Sequence, residues 1–343
     1  MSAQNHTSHT HRTAILLINV GTPASPKVGD VRRYLSQFLS DGRVIDLPWL
    51  GRQLLVNGII VPFRAPKSAK LYQQLWTDKG SPLLTYGMAL RDALQQKVSP
   101  HTDVYVAMRY GKPSIKSTLA QIDVQRYARL TVVPLFPHYA SSTTGTAVEE
   151  VMRWVRKQNV IPQIKVVNQF FNHDAFIDAF ARRIDASHPD QYDHVLFSYH
   201  GLPKRHVNRT HAGHTCEELG CASHYGHDNA FCYHAACHET TRLIVAKLNL
   251  SLPVTTAFQS RLGKGWLEPF ADVTIEALAR QGVKKLLVVS PAFVADCLET
   301  VIEIGVEYKE LFEANGGQHL TLVKSLNDMP QWVDALNRII EAD

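Results

Sequence analysis

The sequence contains no apolar run of the roughly 18 residues that a membrane-spanning helix requires, because Gly, Pro or Arg interrupts the longest candidates. That excludes a chain built to cross a bilayer as helices. The first dozen residues, MSAQNHTSHTHR, lack the apolar core of a secretory signal. They read as a disordered tail over 1–12, and the chain is expected in the cytoplasm. No block of Lys and Arg is dense enough to follow a nucleic-acid backbone, and a net charge of +5 from 36 basic and 31 acidic residues is too small to imply one. Compositional bias is missing too: 19 Gly, 17 Pro, 45% hydrophobic and 20% charged residues exclude disordered, collagenous and low-complexity chains. At 343 residues the length suggests about two domains.

What the chain does have in excess is 17 His and 5 Cys. Cys216, Cys221, Cys232 and Cys237 share one short window with His224, His227, His234 and His238. In a chain expected in the cytoplasm such crowding points to metal rather than to disulfides. The spacing C-x4-C-x10-C-x4-C fits either Zn²⁺ or a [2Fe–2S] cluster.

Short Val-, Ile- and Leu-rich runs alternate with helix-length amphipathic segments, the pattern of parallel sheets with crossover helices. Strands are expected at 13–20, 43–47, 103–109, 129–136, 163–169, 194–199, 254–259, 284–290 and 319–324. The two halves echo each other in order: LLINVGTP with LFSYHGLP, VYVAMRYGKP with VTTAFQSRLGKG, and TVVPLFPHY with LVVSPAFVAD. We therefore expect an α/β protein of two Rossmann-like domains, each a parallel sheet flanked by helices and related by duplication. The first covers 13–172. The second covers 173–343, with a Cys-rich segment at 211–238 and a terminal helix carrying Trp332, Leu336, Ile339 and Ile340. Ligands of open α/β sheets bind at the carboxyl ends of the strands, where the polar and Gly/Pro-rich segments of this chain fall.

Three constellations sit at those ends. A strand ending on His200-Gly-Leu-Pro puts an imidazole at the sheet edge, able to take a proton near neutral pH or to ligate a metal. Asp296 and Glu299 have the D-x-x-E spacing of a capping box. Glu299, Glu303 and Glu307 then follow on one helix face, where like charges repel by about 0.2–0.5 kcal/mol per pair, as a polar channel would arrange them. Residues 47–76 mix Trp, Leu, Ile and Val with Arg52, Arg64, Lys67 and Lys70, which suits either a core helix with a basic outer face or an apolar lip. Such a lip accepts a flat hydrophobic ligand or rests on a membrane, with Arg64 placed for a carboxylate.

Taken together and in order, LLINVGTP, RAPK…LY with its GSPL, MRYGKP, FPHYASSTTG, SYHGLP, FQSR…W and FVADCLET resemble the ferrochelatase family over nearly the whole chain. The resemblance implies a lyase that inserts Fe²⁺ into protoporphyrin IX to form protohaem, the terminal step of haem synthesis. It matches His200 to the histidine that takes a pyrrole proton or receives the metal, and Glu299 to the carboxylate of the opposite wall. Glu303 and Glu307 match the path leading away, and Asp296 an acid hydrogen-bonded near the site. Arg64, Tyr72, Arg109, Tyr110, Ser141, Ser142, Trp266 and Phe293 match positions lining or approaching the porphyrin; Cys297 matches pocket lining. The segment from Gln259 to Trp266 is one residue shorter than the family's usual form. Metallation has matching needs: a base for two N–H protons, exchangeable ligands for an ion shedding water, and a pocket that bends the macrocycle. The resemblance also tips the four cysteines toward a [2Fe–2S] cofactor over zinc. It implies porphyrin and ferrous iron as partners, a peripheral contact with the inner membrane, and a monomer or homodimer.

Overall fold

The computed structural model describes residues 12–342. The expected tail lies outside them except for Arg12, which opens β1. The strands are β1 (Arg12–Thr22), β2 (Thr102–Gly111), β3 (Tyr127–Pro134), β4 (Gln163–Val166), β5 (His194–His200), β6 (Val254–Gln259), β7 (Lys285–Val289) and β8 (His319–Leu322). They form two four-stranded parallel sheets in the orders β2-β1-β3-β4 and β6-β5-β7-β8. The echo seen along the sequence is thus a repeated topology. The first strand of each half lies inside its sheet, covered on both faces, so β1 and β5 are nearly continuous apolar runs rather than alternating ones.

The expected strand at 43–47 does not form; these residues are turns and a bend. The guanidinium of Arg52 takes the carbonyls of Ser40, Ile45 and Leu47, which a neighbouring strand would otherwise have bound. Asp46, in the same stretch, reaches the second half, where Arg205, His206 and Arg209 hold it at 2.7–3.2 Å. Arg205 first, and His206 after it, keep its carboxyl well below the usual range. Residues immediately beyond the His200 turn are thereby clasped to the base of the lip.

The terminal helix Pro330–Glu341 buries Trp332, Leu336, Ile339 and Ile340 as its spacing predicts. It packs against both Asp174–Asp185 in the second half and Pro82–Lys97 in the first. Trp332 meets the rings of Phe170 and Phe176, and Asp334 pairs with Lys97 at 2.7 Å. One apolar cluster consequently runs from Ile15 and Leu17 through Phe176 to Phe197 and Trp332, holding the two sheets against a common core. Among the described residues no helix is long and apolar enough to cross a membrane.

Candidate active site

His200 is the last residue of β5 and half-buried. Its Nδ1 lies 2.6 Å from the Gly201 carbonyl. A carbonyl only accepts, so Nδ1 carries the hydrogen and, in the neutral ring, Nε2 keeps its lone pair. The Tyr233 hydroxyl donates to the His200 carbonyl at 2.9 Å, fixing the backbone. Gly201 is required by close approach: a Cβ there would stand 2.8 Å from the Gln259 carbonyl oxygen and 3.3 Å from the Trp266 ring. Trp266, half-buried, therefore flanks the His200 turn, and Phe293 lies 6.3 Å away, ring centre to ring centre.

The opposite element is Leu298–Tyr308, a π-helix, the i→i+5 form that occurs often at functional sites. Its cap corrects the expected one. Cys297 is the N-cap, and its amide donates to Thr300 Oγ1 at 3.0 Å. Asp296 faces elsewhere: its buried carboxylate accepts from Ser325 N and Asn327 Nδ2 at 3.0 and 2.8 Å, pinning two strand-end loops together. With both oxygens so engaged, Asp296 positions the loop rather than meeting a substrate. Glu299 and Glu303 are half-buried and Glu307 is exposed, so the acidic line runs outward. Glu303 accepts from Gln259 Nε2, Ser260 N, Ser260 Oγ and the Tyr308 hydroxyl at 2.6–3.0 Å. Burial, followed by Glu303 and Glu310, pushes the Glu307 carboxyl up. Gln259 is the bridge between walls: it pairs with His200 across β5 and β6 and donates to the Glu299 carbonyl at 2.8 Å. Its place in FQSR was the signal available in sequence.

From the first half, Tyr72 and Tyr34 stand against this element. Their rings meet edge to face at 6.3 Å. Burial and the Glu299 charge push both phenols well above their usual range, keeping them as donors. Tyr34 has no motif around it and was not foreseen. Cys297 is buried, and its thiol is pushed up by burial and by Glu299, which suits lining rather than ligation.

Arg109 and Tyr110 are placed differently from expectation. Both bind Asp41, at 2.7 and 2.9 Å, and the Arg109 guanidinium also covers the Tyr110 ring at 4.6 Å. Thr146 Oγ1 donates to the same carboxylate. Burial pushes Asp41 up, yet the Thr146 hydroxyl, the Arg43 amide and Arg109 outweigh it and hold the carboxyl below its usual value. With Tyr110 at 1% exposure and the half-buried Arg109 paired to Asp41, the two form a brace under the site. Ser141 and Ser142 begin a second π-helical turn, Ser141–Gly145, and are half-buried. Arg43 donates to Ser141 Oγ at 2.9 Å. Arg64 is exposed on the helix Val61–Leu75. That helix continues a third π-helical turn, Leu54–Ile60.

The cysteine segment folds beside β5, and the structure gathers three of its four cysteines with a histidine. Donor atoms of Cys216, Cys221, Cys232 and His211 lie within 4.8 Å of one another, all buried, in a group able to hold a metal ion. Cys237 is outside this group. It sits fully buried in the helix Tyr233–Leu248, and burial holds its thiol well up. A helix that begins at Tyr233 with Cys232 as N-cap carries Cys237 onto its inner face.

A family profile for ferrochelatase matches residues 12–343. The chain is 42% identical over 331 residues to a ferrochelatase of Legionella pneumophila (strain Paris), covering 96% of this chain and 98% of that one. It is 44% identical over 334 residues to a ferrochelatase of Pseudomonas fluorescens biotype C, at 96% and 97% coverage, and 43% identical over 335 residues to one of Coxiella burnetii (strain Dugway 5J108-111), at 96% and 94%. Among solved structures, SirB from Bacillus subtilis with Fe³⁺ shares the fold at TM-score 0.56 and 14% identity, covering 96% of this chain and 95% of that one. The full-length profile match and identities above 40% establish that this chain belongs to the ferrochelatase family.

Proposed function

We propose that the chain inserts Fe²⁺ into protoporphyrin IX, with His200 and Glu299 working from opposite walls. The observation that carries this reading is the His200 hydrogen bond: Nδ1 is spent on the Gly201 carbonyl, which leaves Nε2 free for one job. Porphyrin metallation exchanges two pyrrole N–H protons for four metal–nitrogen bonds. His200 Nε2 takes a proton as the bound ion sheds water, and Glu299, Glu303 and Glu307 carry protons outward along a line of rising exposure. Tyr34 and Tyr72 stay protonated beside the Glu299 wall, Tyr34 donating to the Gly21 carbonyl, while Phe293 and Trp266 flank the imidazole and press on the macrocycle. Arg64 and Ser142 face substrate carboxylates at the rim, and residues 13–172 and 173–343 act as two domains whose strand ends meet over the porphyrin. The cysteine segment is read as a metal site, with the [2Fe–2S] centre on Cys216, Cys221, Cys232 and Cys237 that the resemblance implies; supporting it, three of these sulfurs are buried together.

The lip is read as the porphyrin entrance and as a peripheral contact with the cytoplasmic face of the inner membrane. Trp49, Leu50, Leu54, Ile59 and Phe63 are each more than half exposed, too many neighbouring apolar side chains for an ordinary solvent face. The reading is tested by mixing purified protein with Fe²⁺ and protoporphyrin IX without oxygen and following haem absorption, with coproporphyrin in parallel. Failure to form haem from protoporphyrin, or undiminished turnover in His200→Ala, overturns it. For the lip, Phe63→Asp should lower sedimentation with anionic lipid vesicles while leaving turnover of detergent-dispersed porphyrin intact.

A further inference from the structure

We propose that Asp46 is a positioning residue that latches the lip to the His200 wall, and that its grip on Arg205 and Arg209 sets how long a porphyrin stays in the cleft. The latch presupposes the lip as porphyrin entrance, as proposed above. One carboxylate meets three basic side chains here. Arg205 makes a two-pronged contact, Nη2 donating to Oδ1 at 2.7 Å and Nε to Oδ2 at 3.2 Å, while Arg209 Nη1 reaches Oδ2 at 2.9 Å. His206 Nε2 stands 3.2 Å from Oδ2 without being aligned for a hydrogen bond, so the two arginines carry the contact.

Each side of the contact moves as a unit. Asp46 lies between Ile45 and Leu47, whose carbonyls Arg52 binds, so it follows the helix that starts at Trp49. Leu47, Trp49 and Leu50, directly after it, are all exposed. Arg205 and Arg209 lie in and just after the short helix Lys204–Asn208, which follows the His200 turn. Backbone bonds from Lys204 N to the Gly265 carbonyl at 2.8 Å and from Leu267 N to the Leu202 carbonyl at 2.9 Å tie that helix to the Trp266 loop. The latch therefore joins the lip to the backbone that carries both His200 and Trp266.

The lip is fastened to the opposite wall by a contact of another kind. Val56, Val61 and Ala65 share an apolar cluster with Ile302 of the π-helix Leu298–Tyr308. Packing of this sort resists opening, because separation exposes apolar surface to water. The ionic contact does not. Arg205 and Arg209 are 61% and 65% exposed, so water takes over their charge when the contact breaks, and exposed ion pairs add little to stability and are screened by salt. Of the two attachments the packed one is the hinge, and the ionic one is the part that releases.

The test is stopped-flow quenching of tryptophan fluorescence by metal-free protoporphyrin IX with the full-length chain, alongside steady-state haem formation from Fe²⁺. Asp46→Asn should raise the porphyrin dissociation rate about ten-fold, with the loss in turnover falling on KM for porphyrin rather than on kcat. Arg209→Gln guards against a poorly folded asparagine variant and should raise the same rate about three-fold, since Arg205 remains. Asp46→Glu keeps the charge and should lie between the wild type and Asp46→Asn. Raising salt to about 0.5 M should speed dissociation from the wild type and leave Asp46→Asn unmoved. Dissociation from both Asp46→Asn and Arg209→Gln at the wild-type rate would overturn the proposal, and so would a loss confined to kcat or to the melting temperature. A wild-type chain that bound no porphyrin would overturn the entrance and the latch together, whereas binding indifferent to Asp46 would remove the latch alone.

Discussion

The two halves of this molecule end their leading strands in the same way and use those ends differently. β1 finishes on Val20-Gly21-Thr22 and β5 on His200-Gly201. In both, the glycine lies where a neighbouring strand's carbonyl comes close. A Cβ on Gly21 would fall 1.8 Å from the Tyr110 oxygen, and one on Gly201 2.8 Å from the Gln259 oxygen. One residue earlier the halves part. Val20 packs among Leu83, Cys297 and Phe293, while His200 presents an imidazole with one nitrogen unspent. The first half turns its charges inward, with Asp41 saturated by Arg109, Tyr110 and Thr146. The two halves repeat the geometry, and in the function proposed above a single side chain at the strand end separates a binding wall from a reacting one.

Breaking that difference should have its largest effect at His200. His200→Ala should lower the rate of haem formation by about 10²–10⁴-fold, the usual contribution of a general base, while Val20→Ala should change it far less in the same assay. Next comes the inward charge of the first half. Asp41→Ala should cost about 3 kcal/mol, since it takes the carboxylate from the half-buried Arg109 and from the hydroxyls of Tyr110 and Thr146, read as a lowered urea midpoint. The pH dependence follows from a folded-state pKa below the unfolded one. The stabilisation from Asp41 is full above the unfolded carboxyl value of about 3.9 and is lost as the pH falls from there through the depressed folded value. Asp41→Asn should flatten that acid limb.

The paired glycines come third. Gly21 has φ +115 and a backbone oxygen in the way, so Gly21→Ala should destabilise by more than about 3 kcal/mol. Gly201→Ala meets a milder approach and should cost about 1–3 kcal/mol, with the larger penalty appearing in kcat because the His200 turn shifts. Equal costs in denaturant melts would show that the two ends are not built alike. The smallest effects are expected on the outward path. Glu303→Gln should slow turnover roughly ten-fold, because Gln259, Ser260 and Tyr308 all depend on that carboxylate. Exposed Glu307→Gln should stay within about two-fold, water being able to replace it as a proton acceptor.

Much of this was legible along the chain. Eight of the nine expected strands form, because strands buried on both faces leave uninterrupted apolar runs that need no tertiary information to recognise. His200 was legible for a related reason: a His-Gly-Leu-Pro after such a run has to lie at a strand end. The misses have one cause. The stretch at 43–47 lost its strand to Arg52, and the capping pair Asp296/Glu299 lost to Cys297 and Thr300. Each outcome depended on which partner came within about 3 Å, and spacing carries no such information.

The cysteines show the division most sharply. The order of residues alone carried two parallel-sheet halves, a strand-end histidine, an acidic line and a window crowded with cysteine and histidine. These follow from periodicity and residue chemistry, both local properties. Folding alone brought Tyr34 and Gln259 to the Glu299 element and His211 in among Cys216, Cys221 and Cys232. Cys237 lies five residues from Cys232 in sequence, and His211 lies 21 away. The helix beginning at Tyr233 turns Cys237 into the core, while the loop before it folds His211 back onto Cys216, Cys221 and Cys232. Ligation answers to distance in space, which the packing of that helix against β5 and its neighbours sets.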